Sequence, residues 1–238
     1  MKFMVMHKHD EYTEAGKLPP PELIAKMGAL IGGMAQAGRL LDGEGLGASK
    51  TRSRVAVRDG RAVVEHGPYT GRHELPASVA KVKVGSRDEA VALATEMARA
   101  IGGDVELEVG KINEPWDIGI GAPPPDAPER YLLIHKATPA TEAGALPDLA
   151  AVTAMAAARG ALLGTIALTP SARATRLVWK GGRRTVIDGP FTETKELIGG
   201  YAILEMASLD ECIAFCSQYA DILLSGAHQL EIDIRPLA

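Results

Sequence analysis

Two histidines and one aspartate are the side chains of this 238-residue chain best suited to acid–base chemistry. His7 and His135 stand near the ends of two short apolar segments, KFMVMHK and YLLIHKA, and Asp188 comes directly before Gly189 and Pro190. An imidazole titrates at about pH 6.5, and a carboxylate that bonds one ring nitrogen leaves the other free to take or give a proton. We therefore interpret His135 and Asp188 as a catalytic pair, with His135 as the base, and His7 as a second candidate catalytic residue.

Simpler interpretations of these residues stay open. Asp-Gly-Pro is ordinary turn chemistry, so Asp188 could begin a turn without reacting, or bind a ligand without catalysis. Glycine permits unusual backbone angles and proline stiffens the chain, which holds the acid at the end of a strand in each case. Histidines at strand ends are often structural. We favour His135 over His7 because the aspartate lies in the same half of the chain as His135.

Six further residues are candidates for binding a substrate, because they flank glycines or lie near the ends of predicted strands: Glu44, Arg54, His66, Arg176, Lys195 and Glu196. Arg54 and Arg176 could neutralise an anionic substrate, although charges at a strand edge are usually solvated. Glu44 lies between two glycines and could point into a pocket, and a solvated loop acid is the equal alternative. Lys195 and Glu196 could equally be the exposed entry to an apolar strand.

The sequence contains an internal repeat, which decides the predicted architecture. TEAGKLP at residues 13–19 returns as TEAGALP at residues 141–147. Residues 38–84 align without a gap on residues 160–206. The chain therefore carries two copies of one unit, and we expect the copies to pair with each other within the chain.

The alignment of the two copies also shows where they differ. His66 in the first copy faces Asp188 in the second, and Glu44 faces Ile166, so two sites would be chemically unequal. Two explanations stay open: the two copies have taken on different roles, or one site has lost its function. We predict a first domain, a semi-rigid proline-rich linker and a second domain at residues 1–120, 121–128 and 129–238.

Each copy is predicted to run strand, helix, several strands, helix, strand. The first helix, residues 21–37, follows three prolines and carries one apolar stripe. Hairpins are predicted to turn at Asp59-Gly60 and at Gly181-Gly182. This order predicts an α+β module with helices on one face of a mainly antiparallel sheet. The other sheet face is apolar too, so we expect the second copy to cover it and to complete an α/β barrel.

The stretch DGPFTETKELIGGYAILE, together with the strand-ending histidine, TEAG-LP and GEGL, resembles the YCII-related family and its DGPF-domain subgroup. The resemblance covers both copies and implies two ferredoxin-like modules of the dimeric α/β-barrel superfamily, here supplied by tandem duplication. Most relatives look uncharacterised, some are encoded near alternative sigma factors, and a few look like small lyases or dehydrochlorinases that use a His-Asp pair. Carried over by position, the histidine is His7 and His135 and the acid is Asp188, while His66 departs from the pattern.

Composition and charge restrict the partners that we expect. A net charge of -4, 4% aromatic residues and the lack of a basic stripe argue against nucleic acid and anionic membrane as partners. The N-terminal apolar run is too short for a signal peptide, so we predict a cytoplasmic protein. Cys212 and Cys216 are expected to pack in a helix rather than to hold a metal.

The sequence carries no phosphate-binding loop, no metal-ligand constellation and no flavin or nicotinamide fingerprint, so we predict neither a cofactor nor a metal. The leading functional hypothesis is a cofactor-free lyase or isomerase that acts on a small cyclic or aromatic substrate in a pocket inside the barrel. The alternative is a non-catalytic module that binds a small molecule or has a regulatory role linked to transcription. A further homodimer stays open.

Overall fold

The computed structural model describes residues 1–145, 149–191, 196–224 and 229–237. Within these ranges the strands are β1 Lys2–Lys8, β2 Leu40–Gly45, β3 Ser53–Arg58, β4 Arg61–His66, β5 Pro76–Val84, β6 Val105–Lys111, β7 Glu129–Lys136, β8 Leu162–Ala167, β9 Thr175–Lys180, β10 Arg183–Asp188, β11 Ile198–Glu205 and β12 Gln229–Pro236. The helices are α1 Glu11–Glu14, α2 Pro21–Gln36, α3 Arg87–Ile101, α4 Pro139–Glu142, α5 Ala150–Ala158 and α6 Leu209–Leu223. No described helix combines the length and the apolar character that a membrane span requires.

The strands form two antiparallel six-stranded sheets, and the fold is a mixed α+β architecture consistent with two ferredoxin-like modules. Sheet 1 has the order β10-β9-β12-β1-β11-β2, and sheet 2 has the order β4-β3-β6-β7-β5-β8. β1 and β7, the two strands predicted to be apolar on both faces, lie in the interior of their sheets, where both faces are covered.

Each sheet combines strands from both sequence copies. β1 pairs with β11 and β12, and β7 pairs with β5 and β6, so the first two strands of one copy complete the sheet of the other. We expected each copy to build its own sheet, and the structure corrects this expectation. The two copies share the same alternation of apolar and polar residues. Strand pairing within a copy and strand pairing between copies both satisfy this pattern, so the pattern alone does not determine which pairing forms.

Three buried layers follow from this arrangement. The outer face of sheet 1 packs on α6 around residues such as Phe3, Val5 and Phe215. The outer face of sheet 2 packs on α3 and α5. The inner faces meet in a third cluster that contains Met6 from sheet 1 and Ile134 from sheet 2. The apolar inner face of each sheet is therefore covered by the other sheet, as the alternation of the strands predicts.

Two Gly-Pro turns, one in each copy, pack tightly against short 3-10 helices. A Cβ atom on Gly67 would overlap the carbonyl oxygen of Ser49, and one on Gly189 would overlap that of Ser171. Only glycine permits so close an approach of two backbones. Packing therefore requires the glycine that follows Asp188, because a side chain at position 189 would overlap Ser171.

Glu14 and Glu142 of the two TEAG motifs complete these turns. The Ser49 hydroxyl donates to Glu14, and the Ser49 amide donates to the same carboxylate over 3.0 Å. Ser171 donates to Glu142 in the same way. Each serine hydroxyl also accepts the backbone amide of the residue that follows the Gly-Pro pair. The repeated TEAG and Gly-Pro motifs are therefore parts of one structural element.

Gly189→Ala is expected to destabilise the protein by about 3 kcal/mol, because the added Cβ would force the turn away from Ser171. Gly164→Ala is the matched control, since no atom lies within 4 Å of the position that its Cβ would occupy. Urea unfolding measures both variants. A stability loss equally small in both would contradict the close packing of the turn.

Cutting the linker is expected to leave the two fragments associated, because β1 and β7 are each held between strands of the other copy. A protease site inserted between Pro124 and Pro125 allows this test, since residues 121–126 are exposed. Size-exclusion chromatography of the cut protein without denaturant should show one peak with both fragments. Two separate folded fragments would show that the strands are not exchanged.

Candidate functional site

The structure does not bring His135 and Asp188 together. His135 lies on β7 in sheet 2, is buried, and has its Nδ1 atom 3.4 Å from the Ser78 hydroxyl, while its Nε2 atom has no hydrogen-bond partner in the described ranges. Asp188 ends β10 at the edge of sheet 1, where it is exposed and accepts a hydrogen bond of 3.2 Å from Thr175. The predicted pair is separated because β7 and β10 belong to different sheets.

In the first copy, His66 makes the contact that Asp188 makes in the second copy. Its Nδ1 atom lies 2.9 Å from the hydroxyl of Ser53, the residue equivalent to Thr175. A hydroxyl can bond either a carboxylate or an imidazole, so the exchange of aspartate for histidine preserves the link between two strands. This geometry favours the turn interpretation of Asp188, and chemical roles for Asp188 and His66 stay predictions.

Arg54 and Arg176 are buried rather than solvated at a strand edge. Arg54 bonds Glu74 over 3.0 Å and lies 3.8 Å above the centre of the Tyr69 ring. Arg176 bonds Asp233 over 2.6 Å and lies over the Phe191 ring in the same manner. The buried carboxylates neutralise both guanidinium groups, and an anionic substrate would have to displace them.

The other predicted binding residues are dispersed. Glu44 is partly buried and bonds Arg130 over 2.5 Å and Lys81 over 3.1 Å, and its role in binding a substrate stays a prediction. These contacts join β2 of sheet 1 to β5 and β7 of sheet 2. Glu196 is exposed, and Lys195 lies outside the described residues.

His7 lies in a cavity of about 530 Å³ between the ends of β1 and β2, the segment after β1, and α2. Its imidazole rests on the backbone of β11, where a Cβ on Gly199 would come within 2.9 Å of the ring and one on Gly200 within 2.5 Å. The equivalent positions beside His135 are Ala77 and Ser78. The two glycines thus let the His7 ring lie directly on the backbone of β11, whereas side chains stand at the equivalent positions beside His135.

The cavity opens on the helix side of sheet 1, not in the space between the sheets where we expected a pocket. Successive side chains of a strand point to opposite faces, which puts His7 with Phe3 and Val5 on the face that α6 covers. α2 roofs the cavity and has no buried residue, whereas its counterpart α5 buries Val152 and Ala156 against sheet 2. α2 thus contacts the core through partly buried side chains, and the cavity lies against its first two turns.

Burial lowers the pKa of His7 to about 4; Asp10 opposes this shift, and the charges of Arg52 and Lys8 add to it. The imidazole is therefore neutral at pH 7. Its Nδ1 atom lies 3.1 Å from the Tyr219 hydroxyl, whose own pKa is raised by burial, so this hydroxyl stays protonated. The position equivalent to Tyr219 in the other half is Met97.

His9, which we did not predict as a site residue, lies in the same cavity wall. Its Nε2 atom is 2.6 Å from Nη2 of Arg52, and its Nδ1 atom is 2.9 Å from the Thr13 hydroxyl. Burial, reinforced by the Arg52 charge, lowers the pKa of His9 to about 3. The two-residue spacing of His7 and His9, which is typical of one strand face, could have indicated that both line one site. We did not use it because His9 follows the predicted strand and has no counterpart in the other copy, where Ala137 stands.

A second, more open cavity of about 440 Å³ adjoins the first at His9 and Asp10 and has several carboxylates in its wall. No group of three histidine, cysteine, aspartate or glutamate side chains in the described part of the chain is arranged to hold a metal ion. Both cysteines, Cys212 and Cys216, are buried as free thiols in the core under α6.

Comparison with known proteins identifies the family to which the sequence of this chain is similar. The model of the YCII-related domain matches residues 130–222. An uncharacterised protein of Rhizobium meliloti (strain 1021) is 35% identical over 91 residues, which are 38% of this chain and 71% of the relative. No solved structure matches. The chain belongs to the YCII-related family.

Proposed function

We propose that this protein binds a small organic molecule in the His7 cavity and that His7 exchanges a proton with it, as a lyase or isomerase requires. One observation carries this proposal: a neutral imidazole lies in the wall of a cavity of about 530 Å³. A volume of this size is typical of sites for small organic ligands. The proposed site thus uses His7 in place of the His135 and Asp188 pair.

The contacts of His7 leave one nitrogen for the ligand. Tyr219 occupies the Nδ1 side, and no described residue hydrogen-bonds to Nε2. A protonated tyrosine can donate to Nδ1 or accept from it, which makes Nε2 an acid or a base respectively. Gly199, beside Nε2, is itself part of the cavity wall, so Nε2 lies on the side from which a ligand would approach.

The composition of the cavity wall favours a small cyclic or aromatic ligand. Apolar side chains line much of it, among them Leu23, Leu46 and Ile118. Polar and charged side chains, Thr13 and Asn113 among them, also border the cavity, but apolar atoms contribute more of the exposed surface of its wall. An apolar wall with a few polar groups holds a ring and fixes its orientation.

A non-catalytic binding or regulatory module is the second candidate, and the seating of α2 favours it. A helix without a buried residue can shift when the cavity beneath it fills, which would report the ligand to a partner. Binding without any proton exchange would identify this function. The cytoplasmic location stays a prediction.

We also propose that the two sheets close into one α/β barrel, and that the chain arose by tandem duplication of a DGPF-type unit. Contacts at both sheet edges support closure: Leu46 after β2 bridges to Ile112 after β6, and the Thr169 hydroxyl after β8 donates to the Pro236 carbonyl over 2.9 Å. The matching contacts of Ser49 and Ser171 support duplication.

Proton transfer at His7 is tested with unsaturated lactones and phenols in D2O, by following exchange of their carbon-bound protons with NMR. His7→Gln is expected to slow the exchange at least ~100-fold, because the glutamine amide cannot act as an acid or base near neutral pH. His135→Gln is the matched control, since His135 does not line the cavity. Equal loss in both variants, or none in either, would contradict the assignment, and thermal stabilisation without exchange would indicate the binding module.

The stability of the protein is expected to fall between pH 6.5 and pH 4. The pKa values of His7 and His9 in the folded chain, about 4 and about 3, lie below the ordinary value of 6.5. Above pH 6.5 neither state binds these protons, whereas at lower pH the unfolded chain takes them up and the folded chain excludes them. Each histidine then contributes a slope of up to about 1.4 kcal/mol per pH unit.

Urea unfolding at several pH values measures this slope. His7→Gln should reduce it, whereas His73→Gln, at an exposed histidine, should leave it unchanged. A slope that is unaffected by His7→Gln would show that the imidazole is not buried in the neutral form.

A further inference from the structure

A line of polar contacts runs from the ion pairs between the sheets to the wall of the His7 cavity, and His9 is its central member. The line begins at Glu108 and passes through Arg52, His9 and Thr13 to Asp10. Its last three members line the cavity, so the contacts reach the proposed site from the protein interior.

Arg52 fixes the line at its buried end. The side chain has no exposed surface, and its Nη1 atom donates to Glu108 over 2.6 Å. Its Nε atom donates to the Gly47 carbonyl over 2.7 Å, and Nη2 donates to the Ile198 carbonyl over 2.7 Å. The guanidinium is held on every side and has little freedom to move away from His9.

The contact with Arg52 selects the tautomer of His9. A guanidinium is a donor only, so the Nε2 atom of His9 must accept from Arg52 and cannot carry a proton. The proton of the neutral ring is therefore on Nδ1, which donates to the Thr13 hydroxyl at 2.9 Å. The Gly47 carbonyl, 3.2 Å from Nε2, would require the opposite tautomer. Arg52, His7 and Asp10 are the charged or titratable groups that act on this ring.

Thr13 passes this orientation to Asp10. With its oxygen accepting from His9, the Thr13 hydroxyl donates to Oδ1 of Asp10 over 2.7 Å, and the Thr13 amide donates to the same oxygen over 2.8 Å. Among the described residues none hydrogen-bonds to Oδ2 of Asp10. One carboxylate oxygen is thus fixed, and the second is left for another donor.

The other half of the chain retains the threonine of this line and, as Asp233, its buried acid. Ala174 stands where Arg52 is, Ala137 where His9 is, and Thr138 where Asp10 is. Thr141, the equivalent of Thr13, keeps the same contacts with the residue that precedes its short helix. The arginine, histidine and aspartate therefore occur together at the one half-site where the cavity opens.

We propose that His9 is a positioning residue: held by Arg52 as the Nδ1-protonated tautomer, it orients Thr13 and thereby fixes the Asp10 carboxylate to accept a hydrogen bond from a hydroxyl group of the ligand bound beside His7. This inference rests on the proposed function for the role of the cavity. The tautomer of His9 is set without any ligand, so it can be measured independently.

The first test is NMR of the full chain with ¹⁵N-labelled histidine, assigned with His9→Gln. The spectra should show His9 with a protonated Nδ1 and an unprotonated Nε2, without titration between pH 5.5 and 8. Arg52→Lys, which keeps the charge beside Glu108, should change the His9 signals and leave those of His135 in place. An Nε2-protonated or doubly protonated His9 in the parent protein would overturn the proposal.

The second test measures the affinity of phenol, a ring with one hydroxyl, by ligand-observed NMR. His9→Ala and Thr13→Val should each weaken binding about fivefold to tenfold. His9→Gln should bind within about twofold of the parent, because an amide can accept from Arg52 and donate to Thr13. Thr141→Val is the matched control and should have no effect.

The outcomes of these tests separate the two ideas. Parent-like phenol affinity in His9→Ala, or equal losses in His9→Gln and His9→Ala, would overturn the positioning role. Failure of the parent protein to bind phenol would count against the proposed function of the cavity, while the tautomer spectrum would still decide the state of His9.

Discussion

A buried arginine without exposed surface must have its charge and its donors matched, and this requirement organises the structure around Arg52. Its partners come from distant parts of the chain: the segment after β1, the segment after β2, β6 and β11. These segments belong to different sheets, so one guanidinium ties the two sheets together. Removing it would leave Glu108 as a buried charge that, among the described residues, pairs with Lys136 alone.

The second half reaches the equivalent carbonyl with a different buried arginine, Arg235, whose Nε and Nη2 atoms have no hydrogen-bond partner in the described ranges. Ala174 replaces the arginine there, and Arg235 on β12 donates to the Thr169 carbonyl over 2.5 Å, which is the counterpart of the Gly47 carbonyl that Arg52 binds. A guanidinium thus reaches the equivalent carbonyl in each half from a different strand. Because only the position of the donor matters for this contact, the two halves make the same link with different sequences.

The divergence that bears on chemistry is concentrated around the two strand-ending histidines. His135 is buried beside Ser78, while His7 rests on Gly199 and Gly200 beside a cavity. The pairing of the two sheets requires strands from both halves of the chain, but it does not require a cavity beside both histidines. Once stability is shared by the whole chain, one half-site is free to serve as packing and the other to open.

The local sequence pattern determined the secondary structure of this protein, because turns, helix caps and the alternation of apolar and polar residues depend on neighbouring residues in the chain. The helix predicted at residues 21–37 spans Pro21–Gln36, and the hairpin turns at Asp59-Gly60 and Gly181-Gly182 take the left-handed backbone angles that these residues tolerate. The apolar inner face of each sheet likewise predicted a second sheet against it.

Only the tertiary structure decided which copy each strand joins and which side chains meet. Two copies with one alternation pattern pair equally well in either arrangement, so His135 and Asp188 could be predicted as partners although they lie in different sheets. Arg54 and Glu44 were predicted from their places in the sequence as exposed or pocket residues, yet Arg54 is buried against a carboxylate and Glu44 bonds cations from two strands of the other sheet. Sequence alone determined the elements and the need for two facing sheets, whereas the exchange of strands, the buried charges and the His7 cavity depend on contacts between residues far apart in the chain.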